Sequence, residues 1–279
     1  MTIRKFNPGT EWIFIKIYSG IKTSDIVLEE AIIPLVHYLD ENNLIHKWFF
    51  IRYHDPKSHL RLRLHLKDNN HYGSAIKAIN DKIKIFIDSG EISSINIDSY
   101  KREIERYGQE TIEFAEELFH QSSKLILNFL DYDDEEKIMV TMFYIDQILS
   151  KIKLPAERKL EWIEHYNNSF KKEFNSDKNL NSQLSKKYRD FKSNYHNFIN
   201  TNEFEEVKDH IILNIRQSHE SLLNIVNTQK GIKLEDFFQS IFHMHINRIF
   251  TSNQRLFEMV IYDYLWRHYK FSKNEIMRL

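Results

Sequence analysis

Apolar and polar side chains alternate almost one by one along FFIRYHDPKSHLRLRLHL, residues 49–66. A period of two is the signature of a strand with one face buried. It puts Leu60, Leu62, Leu64 and Leu66 on one face and His59, Arg61, Arg63 and His65 on the other. In the run before it, Phe49, Ile51 and Tyr53 point one way and Phe50, Arg52 and His54 the other, with HDPKS as the connection. Paired as a hairpin over a buried leucine face, these runs let Arg52, Arg61 and Arg63 converge. Concentrated like charge costs free energy unless an anion answers it, so the arginine face suits a carboxylate or a phosphate. The alternative is a solvated outer face with ordinary ion pairs.

The same pattern extends across the first hundred residues. Residues 11–18 read as a strand, 24–39 as a helix with Ser24 at its N-cap, 48–54 and 59–66 as strands, 72–86 as a helix and 91–97 as a short strand. The order βαββαβ predicts a ferredoxin-like small sheet with both helices on one face. From Ile104 the period becomes 3.6, predicting helices near 109–131, 134–152, 156–174, 181–199, 203–228, 234–250 and 253–270. The expected class is α+β: a sheet region over 1–103 packed against a mostly helical region over 104–279, working as one integrated domain with the site between sheet and helices. The polar stretch 171–187 is expected to be a surface connection.

Composition narrows the function classes. The chain has 279 residues, 42% of them hydrophobic, which is enough for a substantial core. Lys+Arg 39 against Asp+Glu 40 leaves no global field for nucleic acid or an anionic membrane, so any anion site is local. The absence of cysteine removes disulfides and thiolate chemistry and fits a reducing compartment. With no apolar signal core at the N-terminus and no run approaching the ~20 apolar residues of a membrane span, a cytoplasmic location is expected. Six glycines and four prolines, with no GxGxxG or GxxxxGK, argue for long helices and against a phosphate cradle.

Three further segments carry candidate chemistry. In YKREIERYG (100–108), helical spacing would present Tyr100, Glu103 and Arg106 or Tyr107 on one face, ended by Gly108; the plainer reading is a solvated helix with a Glu–Arg pair. HMHINR (243–248) sits in an apolar helix, where His243, His245 and Arg248 are costly unless paired or used. Neither HExxH nor HxxxH spacing occurs there, so no metal is expected; a satisfied core histidine competes with a general acid/base. FAEELFHQSS (114–123), with Glu116 and Glu117, reads alone as an amphipathic helix.

Taken in order, FFIRYHDPKSHLRLRL, YKREIERYG, FAEELFHQSS and HMHINR resemble the C-terminal domain of class I lantibiotic dehydratases, a domain that also stands alone in thiopeptide-type bacteriocin biosynthesis. The resemblance covers essentially the whole chain. It implies glutamate elimination: a glutamyl-tRNA-dependent partner esterifies Ser or Thr of a precursor peptide, and this domain expels the glutamate to leave dehydroalanine or dehydrobutyrine. It implies Arg61, Arg63, Arg106 and His243 as catalytic residues; beside these, Arg52, His59, Tyr100, Glu103, His245 and Arg248 are kept as substrate-binding candidates. No cofactor, metal or direct nucleic-acid contact is implied. The partners implied are the precursor peptide and the separate glutamylating subunit, with a homodimer left open. The same fold also hosts pyridine synthases of thiopeptide pathways, which join two dehydroalanines and release the leader; a subunit that only presents peptide is a third reading. The intact arginine and histidine motifs favour elimination.

Overall fold

A computed structural model describes residues 2–228 and 231–276. Its strands are β1 (Lys5–Phe6), β2 (Trp12–Ser19), β3 (Ile45–His54), β4 (Ser58–Leu66), β5 (Ile92–Asp98) and β6 (Tyr100–Lys101). Helices α1 (Thr23–Val27) and α2 (Ile33–Glu41), joined through a π-helical turn at Leu28–Ile32, link β2 to β3, and α3 (Tyr72–Asp88) links β4 to β5. The fold is α+β, with an antiparallel four-stranded sheet in the order β3-β4-β2-β5 and a two-stranded pair β1-β6.

Register decides what each sheet face carries. Leu60, Leu62 and Leu64 stand opposite Ile17, Ile15 and Ile13 on β2, and opposite Arg52, Phe50 and Trp48 on β3. Directly opposed residues share a face, so Arg52 lies with the leucines and the expected convergence of Arg52, Arg61 and Arg63 does not occur. Helix α1 is on that leucine side. Arg52 Nη1 donates to Ser24 Oγ at 2.6 Å and Nη2 pairs with Asp25, both inside α1, so Ser24 is not an N-cap. The apolar stripes of α2 (Leu35, Val36, Leu39) and α3 (Ala75, Ile79, Ile83, Phe86) are buried.

The chain forms two compact units. Among the described residues, the first comprises 2–131, 223–228 and 231–252, the second 132–222 and 253–276. Besides the sheet and its crossover helices, the first unit holds α4 (Ile104–Tyr107), α5 (Ile112–Ile126) and, after the chain returns along α10 (His219–Thr228), α11 (Leu234–Ile249). Helices α5 and α11 close the β3 edge of the sheet. His120 Nδ1 lies 2.8 Å from the Trp48 carbonyl, the Phe50 N–H donates to Ser123 Oγ at 3.2 Å, and Arg248 Nε donates to the Phe50 carbonyl at 2.7 Å. These side chains satisfy backbone groups that a free edge would leave to water or to another chain.

The second unit is helical: α6 (Asp134–Lys151), α7 (Ala156–Glu173), α8 (Lys178–Asn200), α9 (Glu205–Gln217) and α12 (Gln254–Ile276). Asp133 and Glu136 form a capping box that starts α6. The stretch expected as a surface connection is mostly helix, its link reduced to residues 174–177, and the single helix expected over 203–228 breaks at Ser218. Asp263, fully buried, is answered by Lys171 at 2.8 Å and Arg267 at 2.6 Å. No described helix is long and apolar enough to cross a membrane.

Candidate functional site

The side of the sheet away from the leucines carries rows of matched residues. Arg63 lies between Phe14 and Phe49, Arg61 between Lys16 and Ile51, and His59 between Tyr18 and Tyr53. Over this face a pocket of about 380 Å³, including its open mouth, is lined by Phe49, Ile51, Arg63, Tyr100, Lys101, Glu103, Tyr107, Ile112, Phe119, Met244 and Arg248. Every lining residue belongs to the first unit.

Arg63 is held by rings rather than by a counter-charge. Its Cζ is 4.4 Å from the Phe14 ring centroid, 5.1 Å from Tyr100 and 5.4 Å from Phe49, and its buried Nε has no hydrogen-bond partner among the described residues. Aromatic faces attract a guanidinium without neutralising it. Burial pushes its pKa below the ordinary guanidinium value, which still leaves it charged at neutral pH. Arg61 is similar: its Cζ lies 3.4 Å from the Tyr53 ring, and its Nε donates to His59 Nε2 at 3.1 Å. Neither makes an ion pair within the described structure. Lys16, beside Arg61, is instead committed to Asp98 at 2.6 Å.

The Tyr100 ring is fixed from behind. Its hydroxyl donates to Glu116 Oε1 at 2.8 Å, and Arg102 grips the same carboxylate with Nε at 2.7 Å and Nη2 at 2.8 Å. Burial, then the Glu116 charge, raises the Tyr100 pKa well above the usual phenol value. Tyr100 therefore offers the pocket its ring as a neutral phenol. The helical spacing expected for Tyr100, Glu103 and Arg106 is not what forms. Tyr100 lies on β6, paired with β1, and only residues 104–107 are helical before Gly108 turns the chain at φ +76°. Glu103 nevertheless reaches the lining, and the exposed Arg106 pairs with it at 3.2 Å.

Helix α11 contributes Met244 and Arg248 to the wall. His243 precedes Met244 on the half-buried strip of this helix and is not itself in the lining. His245 is a core residue: buried, 2.9 Å from Ser122 Oγ through Nδ1, its pKa lowered to about 3 by burial and then by Arg248. Of the sequence candidates, Arg63, Tyr100, Glu103 and Arg248 line one pocket, with Arg61 and His59 along the same strand face and Arg106 held to Glu103. Arg52 lies on the opposite face. Tyr107, named from the sequence as an alternative to Arg106, lines the pocket; sequence reasoning missed Phe14 and Phe49, passed over Arg102, and saw in Glu116 only part of an amphipathic helix. Among the described residues no group of three His, Asp or Glu is placed to hold a metal ion.

Comparison with known proteins agrees with this architecture. The nisin biosynthesis protein NisB of Lactococcus lactis subsp. lactis is 30% identical over 284 residues, covering 93% of this chain and 25% of that protein. The subtilin biosynthesis protein SpaB of Bacillus subtilis is 26% identical over 261 residues, covering 89% and 24%. The chain thus spans about a quarter of the length of the curated relatives it matches. Among solved structures, the tRNA-dependent lantibiotic dehydratase MibB from Microbispora sp. 107891 superposes with a TM-score of 0.73 at 14% identity, covering 98% of this chain and 29% of that one. TsrL gives 0.68 at 12% identity, covering 95% of each chain. The pyridine synthase TbtD from thiomuracin biosynthesis gives 0.62 at 10%, covering 94% of this chain and 100% of that one. At these identities the structural likeness is one of fold alone. The sequence profile of the lantibiotic biosynthesis dehydratase C-terminal family matches residues 12–269, and the chain belongs to that family.

Proposed function

We propose that this chain eliminates glutamate from glutamylated Ser or Thr of a ribosomally made precursor peptide, leaving dehydroalanine or dehydrobutyrine. The observation that carries the reading is the pair of guanidiniums on one strand face, Arg61 and Arg63, stacked on aromatic rings with no carboxylate of their own. A glutamyl ester presents a free carboxylate and generates a second one as it leaves, which suits two unanswered guanidiniums. In the reaction a base takes the Cα proton, the C–H electron pair becomes the Cα=Cβ bond, and the Cβ–O bond breaks with its pair leaving as the carboxylate of free glutamate. His243 is our choice for the proton transfer, on residue type and on its place one residue from the pocket wall. Glu103 in the pocket lining and Arg106, which pairs with it, would meet the charged ends of the glutamyl group. The ester would be supplied by a separate glutamyl-tRNA-dependent subunit. We also read the sheet as the split ferredoxin-like βαββαβ arrangement, supported by its antiparallel order β3-β4-β2-β5.

The fold likeness to TbtD supports a second reading, cyclisation of two dehydroalanines with leader release. One assay separates the classes. Given a pre-glutamylated precursor without tRNA, ATP or added metal, the chain is expected to release glutamate and leave a peptide lighter by one glutamic acid. A macrocycle formed from a dehydroalanine-bearing peptide, without glutamate release, would establish the pyridine-synthase reading instead. Retention of peptide in a pull-down with no mass change would make the chain a presenting subunit.

A further inference from the structure

His59 sits at the start of β4 with almost no exposed surface, two residues before Arg61 on the same face. Its Nδ1 is 2.9 Å from the Lys57 carbonyl. A carbonyl only accepts, so the ring proton belongs on Nδ1 and Nε2 keeps its lone pair. That lone pair accepts the Arg61 Nε–H at 3.1 Å. Two rings flank the imidazole: the Tyr18 ring centroid is 4.7 Å from it and the Tyr53 centroid 5.6 Å. Tyr53 is also the ring on which the Arg61 guanidinium lies.

We propose that His59 is a positioning residue: fixed as the neutral Nδ1–H tautomer, it occupies Arg61 Nε and so aims the Nη1/Nη2 edge of that guanidinium at a carboxylate of the substrate. With Nε committed to His59 and the plane fixed on Tyr53, the end-on edge is the one remaining bidentate donor pair. The surroundings maintain the tautomer. Burial, Arg61 and Lys16 disfavour the imidazolium, against the opposing pull of the Lys57 carbonyl and of Asp55 in the turn. A protonated Nε2 would set donor against donor.

The carboxylate in question is that of the glutamyl group, so the kinetic arm rests on the elimination reading. The test is a double-mutant cycle on release of glutamate from pre-glutamylated peptide. His59→Leu is expected to lower kcat/KM about 10- to 50-fold, mainly through KM, as the loss of one aimed charge-assisted contact does. In an Arg61→Ala background the same change should alter kcat/KM by less than about two-fold, since there is nothing left to aim. His59→Gln, which keeps an acceptor, should recover part of the loss. Equal losses in both backgrounds, or wild-type kinetics in His59→Leu, would overturn the proposal. An independent arm uses 15N NMR of the histidine side chains: the Nδ1–H tautomer is expected, with a hydrogen-bond shift at Nε2 that Arg61→Ala removes. The Nε2–H tautomer would overturn the proposal whatever the kinetics. Failure of the wild type to release glutamate would sink the elimination reading and leave this one to the NMR result.

Discussion

The arginines around the sheet fall into two groups, told apart by what answers their charge. Arg52, on the leucine face, gives Nε to the Arg248 carbonyl at 2.7 Å and its other nitrogens to Ser24 and Asp25; Arg102 clasps the buried Glu116. Across the sheet, Arg61 and Arg63 have rings and an imidazole where the others have carboxylates and carbonyls. Burying a charge is costly, and the first group offsets that cost inside the fold. The second group keeps its attraction for an anion that the fold does not contain, which is the electrostatic condition for recognising one. Burial alone therefore does not separate the two groups; the identity of their neighbours does.

Helix α11 offers the sharpest way to break the contrast, because its two histidines fall on opposite sides of it. His243→Ala is expected to slow glutamate elimination by about 10²–10⁴-fold, the usual contribution of a general acid/base, with glutamylation by the partner unaffected. His245→Ala should leave the rate per folded molecule near wild type, because that ring is buried against Ser122. Mass spectrometry of a time course distinguishes the two. Equal rates for wild type and His243→Ala would remove His243 from the mechanism.

The arginine groups themselves are separated next by pairing activity with stability. For Arg63→Ala, glutamylated peptide should accumulate, with about 2–4 kcal/mol lost in the transition state and the urea midpoint unchanged or raised. Arg63→Lys should rescue little, because an ammonium does not reproduce the fork. Arg52→Ala should invert the pattern, costing about 2–3 kcal/mol of folding stability through hydrogen bonds to a charged group, with elimination per folded molecule intact. If Arg52→Ala abolished elimination in a folded protein, the division by neighbours would be wrong.

How far the sequence carries this picture depends on the range of the interaction that decides each part. Period-two alternation put the four β4 leucines on one face, and the 3.6 period located the long helices, because both are local consequences of what is buried. The face of Arg52 was not legible. It is fixed by the turn, where His54 pairs with Ser58, so that even-numbered residues of β3 oppose even-numbered residues of β4. One residue more or less in that turn would have sent Arg52 to the other side. Tyr100 was read on a helix because its local spacing allows one, whereas pairing with Phe6 near the N-terminus draws it into a strand. Glu116 carried no assigned role because Arg102 and Tyr100, its partners, reach it only once that pairing forms. The motifs nominated Arg61, Arg63 and Arg106 as candidates; the aromatic bed beneath Arg63 needed the register.

The smallest effect tests whether His245 belongs to the fold. Its pKa in the folded protein is lowered to about 3, against 6.5 for an exposed imidazole. The unfolded chain therefore binds the proton more readily, and the His245 contribution is complete above about pH 6.5 and lost progressively as the pH falls toward 3. Between pH 6.5 and 5 this one group should remove about 2 kcal/mol of stability, at about 1.4 kcal/mol per pH unit. His65, stacked on Trp12 and lowered to about 4, adds a loss of the same sign, so the total slope does not isolate His245. The difference between wild type and His245→Leu does. Urea midpoints measured from pH 7 to pH 5 should fall more steeply for wild type, although the variant starts lower because Ser122 has lost its partner. Parallel slopes would mean that His245 titrates normally and is open to solvent, which would return it to the list of candidates for proton transfer.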